Sequence, residues 1–110
     1  DRMFGQLQKK NIPVPEAVIA INDQTAAGVI RSIESHGYRI PEDISVVSYD
    51  NVDIAKVIEP NITSVDYDFD HFGKTIIETA VAAMDGKQTD RQQYIEPTLV
   101  IRRSSDYRRS

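Results

Sequence analysis

The chain contains no cysteine, which excludes disulfides, iron–sulfur clusters and thiol catalysis. It has no run approaching the ~20 apolar residues of a membrane span. Its opening Asp1-Arg-Met-Phe-Gly5 lacks the apolar segment of a signal peptide. A protein of the cytoplasm with no membrane contact is the expectation. Positive charge is scarce in the middle: between Glu42 and Asp70 eight acidic residues face one base, Lys56. That stretch repels phosphate backbones and disfavours nucleic-acid binding. Arg102, Arg103, Arg108 and Arg109 crowd the end of the chain, where a frayed, solvated tail is expected.

Catalytic signatures are also missing. There is no GxGxxG, GxxxxGK[ST], GxSxG or HExxH. The two histidines, His36 and His71, lie far apart without companions and read as helix-surface residues. No nucleophile stands with a base, so neither an enzyme, a metal site nor a cofactor is expected. No internal repeat or low-complexity segment is present.

What is present is the pattern of one globular α/β domain: 110 residues, 40% hydrophobic and 27% charged, with net charge −4. Met3, Phe4 and Leu7 have helical spacing over residues 2–10, until Pro13 and Pro15 break the helix. Ala17 to Ile21 reads as a short, continuously apolar strand. Asn22 or Asp23 caps a helix to about His36, with Ala26, Val29, Ile30 and Ile33 on one face and Gly37 as its stop. Ile44, Val46 and Val47 belong to a second strand that ends at Asp50. Being apolar on both faces, it fits a parallel sheet covered by helices on both sides. Val52 to Ile58 is short and helical or irregular, and Ile62 to Asp66 is a third strand. Asp68 caps a helix to about Met84, striped by Phe69, Phe72, Ile76, Ile77, Ala80, Val81 and Met84 and closed by Gly86. Gln92 to Ile101 is extended and divided by Pro97.

Ligands of parallel α/β sheets bind beyond the carboxyl ends of the strands, and three turns lie there. Asn22-Asp23 combines cap residues with an amide that can donate to and accept from a hydroxylated ligand. Asp50, beside Tyr49 and Asn51, is a pure acceptor able to take two hydroxyls at once; it is equally suited to a phospho-acceptor, a metal ligand or a loop cap. In Tyr67-Asp68-Phe69 an aromatic can stack on a sugar ring, while core packing is the plainer role of Phe69.

Taken together, Val18-Ile-Ala-Ile-Asn-Asp-Gln-Thr-Ala-Ala-Gly28, Gly37-Tyr-Arg-Ile-Pro-Glu-Asp-Ile-Ser-Val-Val-Ser-Tyr-Asp-Asn51 and Pro60-Asn-Ile-Thr-Ser-Val65 resemble the lactose-repressor/galactose-repressor (LacI/GalR) family of bacterial transcription regulators. Gly73 and Pro97-Thr-Leu-Val-Ile-Arg-Arg-Ser104 extend the likeness, which runs from about Pro15 to Ser104. Ser48 stands where the family has glycine or a small residue, and Asn51 where it often has a second aspartate.

The resemblance implies a partial periplasmic-binding-protein-like (type I) domain, whose full form is two α/β lobes around a ligand cleft. The chain would be its carboxyl-terminal part. Residues 11–66 would supply second-lobe core, 67–97 a crossover whose helix packs on the other lobe, 98–104 a return strand and 105–110 a tail. Effector contacts map onto Asn22 and Asp50, and more weakly onto Tyr67 and Phe69. The homodimer interface maps onto Thr25, Ala26, Val29, Ile54 and Ile58. The implied role is a repressor's effector-binding and dimerisation portion. It would sense a sugar or similar hydroxylated metabolite and reach operator DNA only through an amino-terminal domain outside these residues. The rival readings are a fragment of a sugar-binding transport protein, or a phospho-receiver or enzyme built on Asp50.

Overall fold

The computed structural model describes residues 4–6, 13–87 and 94–106. Four strands form one sheet in the order β1 (Ala17–Ile19), β2 (Ser45–Tyr49), β3 (Thr63–Asp66) and β4 (Thr98–Val100). Between them lie α1 (Asp23–Ser35), α2 (Asp53–Val57) and α3 (Phe69–Met84). The first three strands are parallel, with Val18 opposite Val46 and Ser48 opposite Ser64. The fourth is antiparallel, with Val65 opposite Leu99. A parallel return needs a crossover helix packed on the sheet. No side chain of α3 is buried, and the sheet is mixed at its last strand.

Local chemistry accounts for α1. The Asn22 Oδ1 accepts the Thr25 N–H at 2.8 Å, which satisfies one orphan donor of the first turn. Ala26, Ile30 and Ile33 follow at i, i+4 and i+7 and are buried. At the other end, Tyr38 N–H reaches back to Ile33 O (3.2 Å) and Gly37 N–H to Glu34 O (3.0 Å). That pairing is a Schellman stop, and it requires the left-handed φ of +84° that Gly37 adopts. His36 is exposed; its ring stacks on the buried Phe4 at 4.4 Å, and its Nδ1 lies 2.8 Å from Ser32 O.

The core lies between α1 and one sheet face. Ile30, Ile33, Ile44, Val46, Ala55 and Ile62 are each at most 1% exposed, with Phe4, Ala20, Ala26 and Ile40 around them. Full burial of one such aliphatic side chain stabilises by about 1.5–3 kcal/mol. On the other face Ala17, Ile19 and Leu99 are exposed, so the expected helix cover on both sides is absent among the described residues.

The stripe along α3 also ends differently from an ordinary core helix. Phe69, Phe72, Ile76, Ile77, Val81 and Met84 are all at least 40% exposed. Asp68 does cap this helix, accepting the His71 N–H at 3.3 Å from a left-handed φ of +52°.

Two expectations about the end of the chain are corrected. The extended segment from Gln92 is a strand only over Thr98–Val100, with Tyr94–Pro97 irregular and Gln92 outside the described residues. Arg102 belongs to no frayed tail: its Nη1 donates to Ile62 O at 2.7 Å and its Nη2 to Asn51 Oδ1 at 2.6 Å. Ser104 is fully buried, accepting the Thr63 N–H at 2.8 Å and donating to Val46 O at 2.6 Å. Even Ser105 is tied in, its Oγ 2.5 Å from Thr63 Oγ1. Met3, Leu7, Arg108 and Arg109 lie outside the described residues.

Candidate functional site at the carboxyl ends of the strands

Three turns leave the same end of neighbouring parallel strands: 20–22 after β1, 50–52 after β2 and 67–68 after β3. The middle turn is the most constrained. Asp50 has φ +103° and Asn51 φ +57°, a conformation that costs a non-glycine residue about 1–3 kcal/mol. It persists because the surroundings grip it. Asp50 N–H still donates to Val65 O at 2.9 Å, extending the ladder by one residue. Asn51 N–H donates to Ser64 Oγ at 2.9 Å, and Val52 N–H to Asp23 Oδ2 at 2.7 Å.

Asp23 is the hub of this grip. It is fully buried, and its Oδ1 accepts Ser64 Oγ–H at 2.7 Å and the Ser48 Oγ–H. One carboxylate thus joins the start of α1, the interior of β2 and β3, and the turn after Asp50. In the sequence Asp23 reads as a helix cap; in the fold it is a buried acceptor for three donors. A usable signal existed: Ser48 and Ser64 both fall on the inward face of apolar strands, and a buried hydroxyl requires an acceptor.

Asn51 forms a second grip from outside. Its Nδ2 donates to Asp66 Oδ2 at 2.8 Å while its Oδ1 accepts from Arg102. Asp66 also accepts the Asp68 N–H on Oδ1 at 2.7 Å. These two bonds, the backbone one first, hold the Asp66 carboxyl below its ordinary value, with Lys56 and Arg102 adding attraction.

Against this background Asp50 stands apart. Its carboxylate is half-buried and takes no hydrogen bond from any described residue. Beside its turn a row of rings begins with Tyr49, which stacks on Tyr67 at 6.3 Å and 16°; Tyr67 meets Phe69 at 6.1 Å and 48°. Tyr67 and Phe69 are thereby joined to the Asp50 turn. Asn22 sits on the adjoining turn with Oδ1 engaged in capping, while its amide N–H₂ makes no bond to a described residue. The arrangement offers a carboxylate acceptor, an amide donor and an aromatic face, with no base–nucleophile pair. No group of His, Asp or Glu able to hold a metal ion occurs among the described residues.

An open depression of about 480 Å³ lies farther along, lined by Asp66, Asp68, Phe69, Asp70, Glu96 and Thr98. It shares Phe69 with the row of rings but excludes Asp50 and Asn22.

Of the residues expected at a dimer interface, Thr25 is exposed and Val29, Ile54 and Ile58 are half-buried. Ala26 is 0% exposed, enclosed in the chain's own core. It has no surface to offer a partner, and its assignment to the interface is corrected accordingly.

Comparison with known proteins identifies the family and the fold. The periplasmic binding protein-like domain matches residues 2–105. The repressor PurR of Photobacterium profundum is 37% identical over 91 residues, 82% of this chain and 27% of that protein. The NTD biosynthesis operon regulator NtdR of Bacillus subtilis is 33% identical over 83% of this chain and 28% of its own length. The chain therefore spans about a quarter of the curated relatives it matches. Among solved structures, the Lac repressor dimer bound to operator and the anti-inducer ONPF superposes with TM-score 0.85 and 31% identity, covering 94% of this chain and 36% of that one. A LacI-type regulator from Bifidobacterium animalis gives TM-score 0.80 at 27% identity, covering 96% and 38%. The chain belongs to the periplasmic binding protein-like domain family, in the form carried by LacI-type transcription regulators.

Proposed function

We propose that this chain forms one wall of the effector cleft of a cytoplasmic transcriptional repressor, together with part of its dimer contact. The observation that carries this reading is the Asp50 carboxylate, free of hydrogen bonds from any described residue and held on a doubly left-handed turn beside Tyr49, Tyr67 and Phe69. A carboxylate accepts paired hydroxyls through charge-assisted bonds, and the Asn22 amide adds a donor. Ring faces cover the apolar side of a sugar. A sugar or similarly hydroxylated metabolite is the matching ligand. The related regulator CelR has been solved with cellobiose, and the Lac repressor with ONPG.

On this reading the exposed stripe of α3, from Phe69 to Met84, is the face that packs on the other lobe. An apolar surface of that extent is rare on a monomer. Thr25, Val29, Ile54 and Ile58 contribute to homodimer formation. Operator DNA is contacted through another part of the protein, since the acidic stretch here repels phosphates. Effector binding shifts the lobes between two arrangements and changes operator affinity by differential binding to the two. Catalysis has no part in it, and the naming of the relatives as repressors supports regulation over transport.

A reporter fused to the regulated promoter tests the proposal in cells. Wild type should change expression on addition of one member of a sugar panel. Asp50→Ala should repress normally yet ignore every sugar. Unaltered induction in Asp50→Ala overturns the assignment.

A further inference from the structure

We propose that Asn51 and Arg102 are positioning residues that couple the Asp50 turn to the segment leading from β3 into α3 and to the segment that follows β4. Asn51 has a side chain of one donor end and one acceptor end, and both are used. The donor end goes to Asp66, the last residue of β3 and the start of the outgoing segment. The acceptor end takes Arg102, in the segment that follows β4. Asp66 passes the contact on by accepting the Asp68 N–H at 2.7 Å, at the residue that caps α3. Arg102 passes it on through Ile62 O and, by its backbone N–H, Thr63 Oγ1 at 2.8 Å.

Beside Asp66 the amide suits this position better than a carboxylate. A carboxylate at 51 would still accept from Arg102 but would face the Asp66 carboxylate at bonding distance, and like charges so placed repel. Alanine would lose both bonds and be strained at φ +57°. The neutral amide is the one side chain here that bridges a cation and an anion while tolerating the left-handed backbone. Any displacement of the turn, such as docking of a hydroxyl on Asp50, is therefore transmitted to the segment entering α3 and to the one following β4. That consequence rests on Asp50 being the effector contact; the bridge itself does not.

Amide hydrogen exchange on the intact protein, with no ligand added, tests the bridge separately from effector binding. Asn51→Gly tolerates the backbone and removes both bonds. It should speed exchange of the Asp68 amide about tenfold or more, the worth of a lost bond to a charged acceptor. The Thr25 amide and the β1–β2 ladder should keep wild-type rates. Asn51→Asp keeps the Arg102 contact and loses the donation to Asp66, so it should speed Asp68 while leaving the Arg102 amide protected. Arg102→Lys, which loses the planar fork, should speed exchange of the Asn51 amide and serves as the deciding variant if Asn51→Gly unfolds. Asp68 exchange unchanged in Asn51→Asp, or Asn51 exchange unchanged in Arg102→Lys, overturns the coupling.

Discussion

Removing the Asp23 carboxylate should damage this fold more than its size implies. Asp23→Ala deletes two oxygens that serve three buried or part-buried donors: Ser48 Oγ–H, Ser64 Oγ–H and Val52 N–H. Each donor left without a partner costs about 1–3 kcal/mol, so the three together cost about 3–9 kcal/mol. Against a typical domain stability of about 5–15 kcal/mol, that is a large share. Ser48→Ala is the informative control. It removes one donor but leaves the carboxylate two others, and should cost only about 1 kcal/mol. Combining Asp23→Ala with Ser48→Ala and Ser64→Ala should recover part of the loss, because acceptor and donors leave together. Urea unfolding followed by far-ultraviolet circular dichroism reads all of these as shifts in midpoint. If Asp23→Ala were no more destabilising than Ser48→Ala, the carboxylate could not be the hub described.

Two glycines should respond to alanine with opposite signs. Neither meets an atom within 4 Å of an added Cβ, so backbone preference alone decides. Gly37→Ala, at φ +84°, should destabilise by about 1 kcal/mol, while Gly28→Ala within α1 should stabilise by about 0.5–1 kcal/mol; thermal unfolding separates them. Ile30→Ala, at 1% exposure in the centre of the core, should cost about 2–5 kcal/mol in the same assay. Acid should loosen the segment after β3. The Asp66 carboxyl lies below its ordinary 3.8 because the Asp68 N–H and the Asn51 amide stabilise its charged form. Its contribution is therefore fully present above that value and is lost as pH falls through the lower folded one. A carboxyl carbon-13 titration should show Asp66 charged and unchanging from pH 5 to 8; a titration step inside that range contradicts the contact.

Much of the scaffold was legible because its causes are local. The Asn22 cap, the i, i+4, i+7 run of Ala26, Ile30 and Ile33, and the Gly37 stop all lie within one helix and its ends. The turn carrying Asp50 could be placed because a β-branched run must end at a carboxyl edge. What stayed hidden depends on distant partners. Asp23 meets serines 25 and 41 residues away, and Arg102 meets an amide 51 residues away. Charge alone marked Arg102 as solvated, since nothing near it in sequence announces Asn51 or Ile62 as acceptors. Ala26 was misplaced because an apolar stripe looks the same whether it faces the chain's own core or a partner. The stripe of α3 illustrates the same ambiguity in reverse, with its apolar side chains left exposed.

The central claim, that Asp50 is the acceptor for a hydroxylated effector, is tested most directly by thermal shift of the intact regulator. A panel of mono- and disaccharides that includes cellobiose should be run on wild type and on Asp50→Asn. A ligand bound to the native state raises the midpoint, by about 2.7 kcal/mol of stability at a hundred times its Kd. At least one sugar should stabilise wild type, and Asp50→Asn should unfold at the wild-type midpoint without sugar but lose the sugar-dependent rise. A full rise retained in Asp50→Asn, or no rise in wild type with any sugar, would contradict the claim.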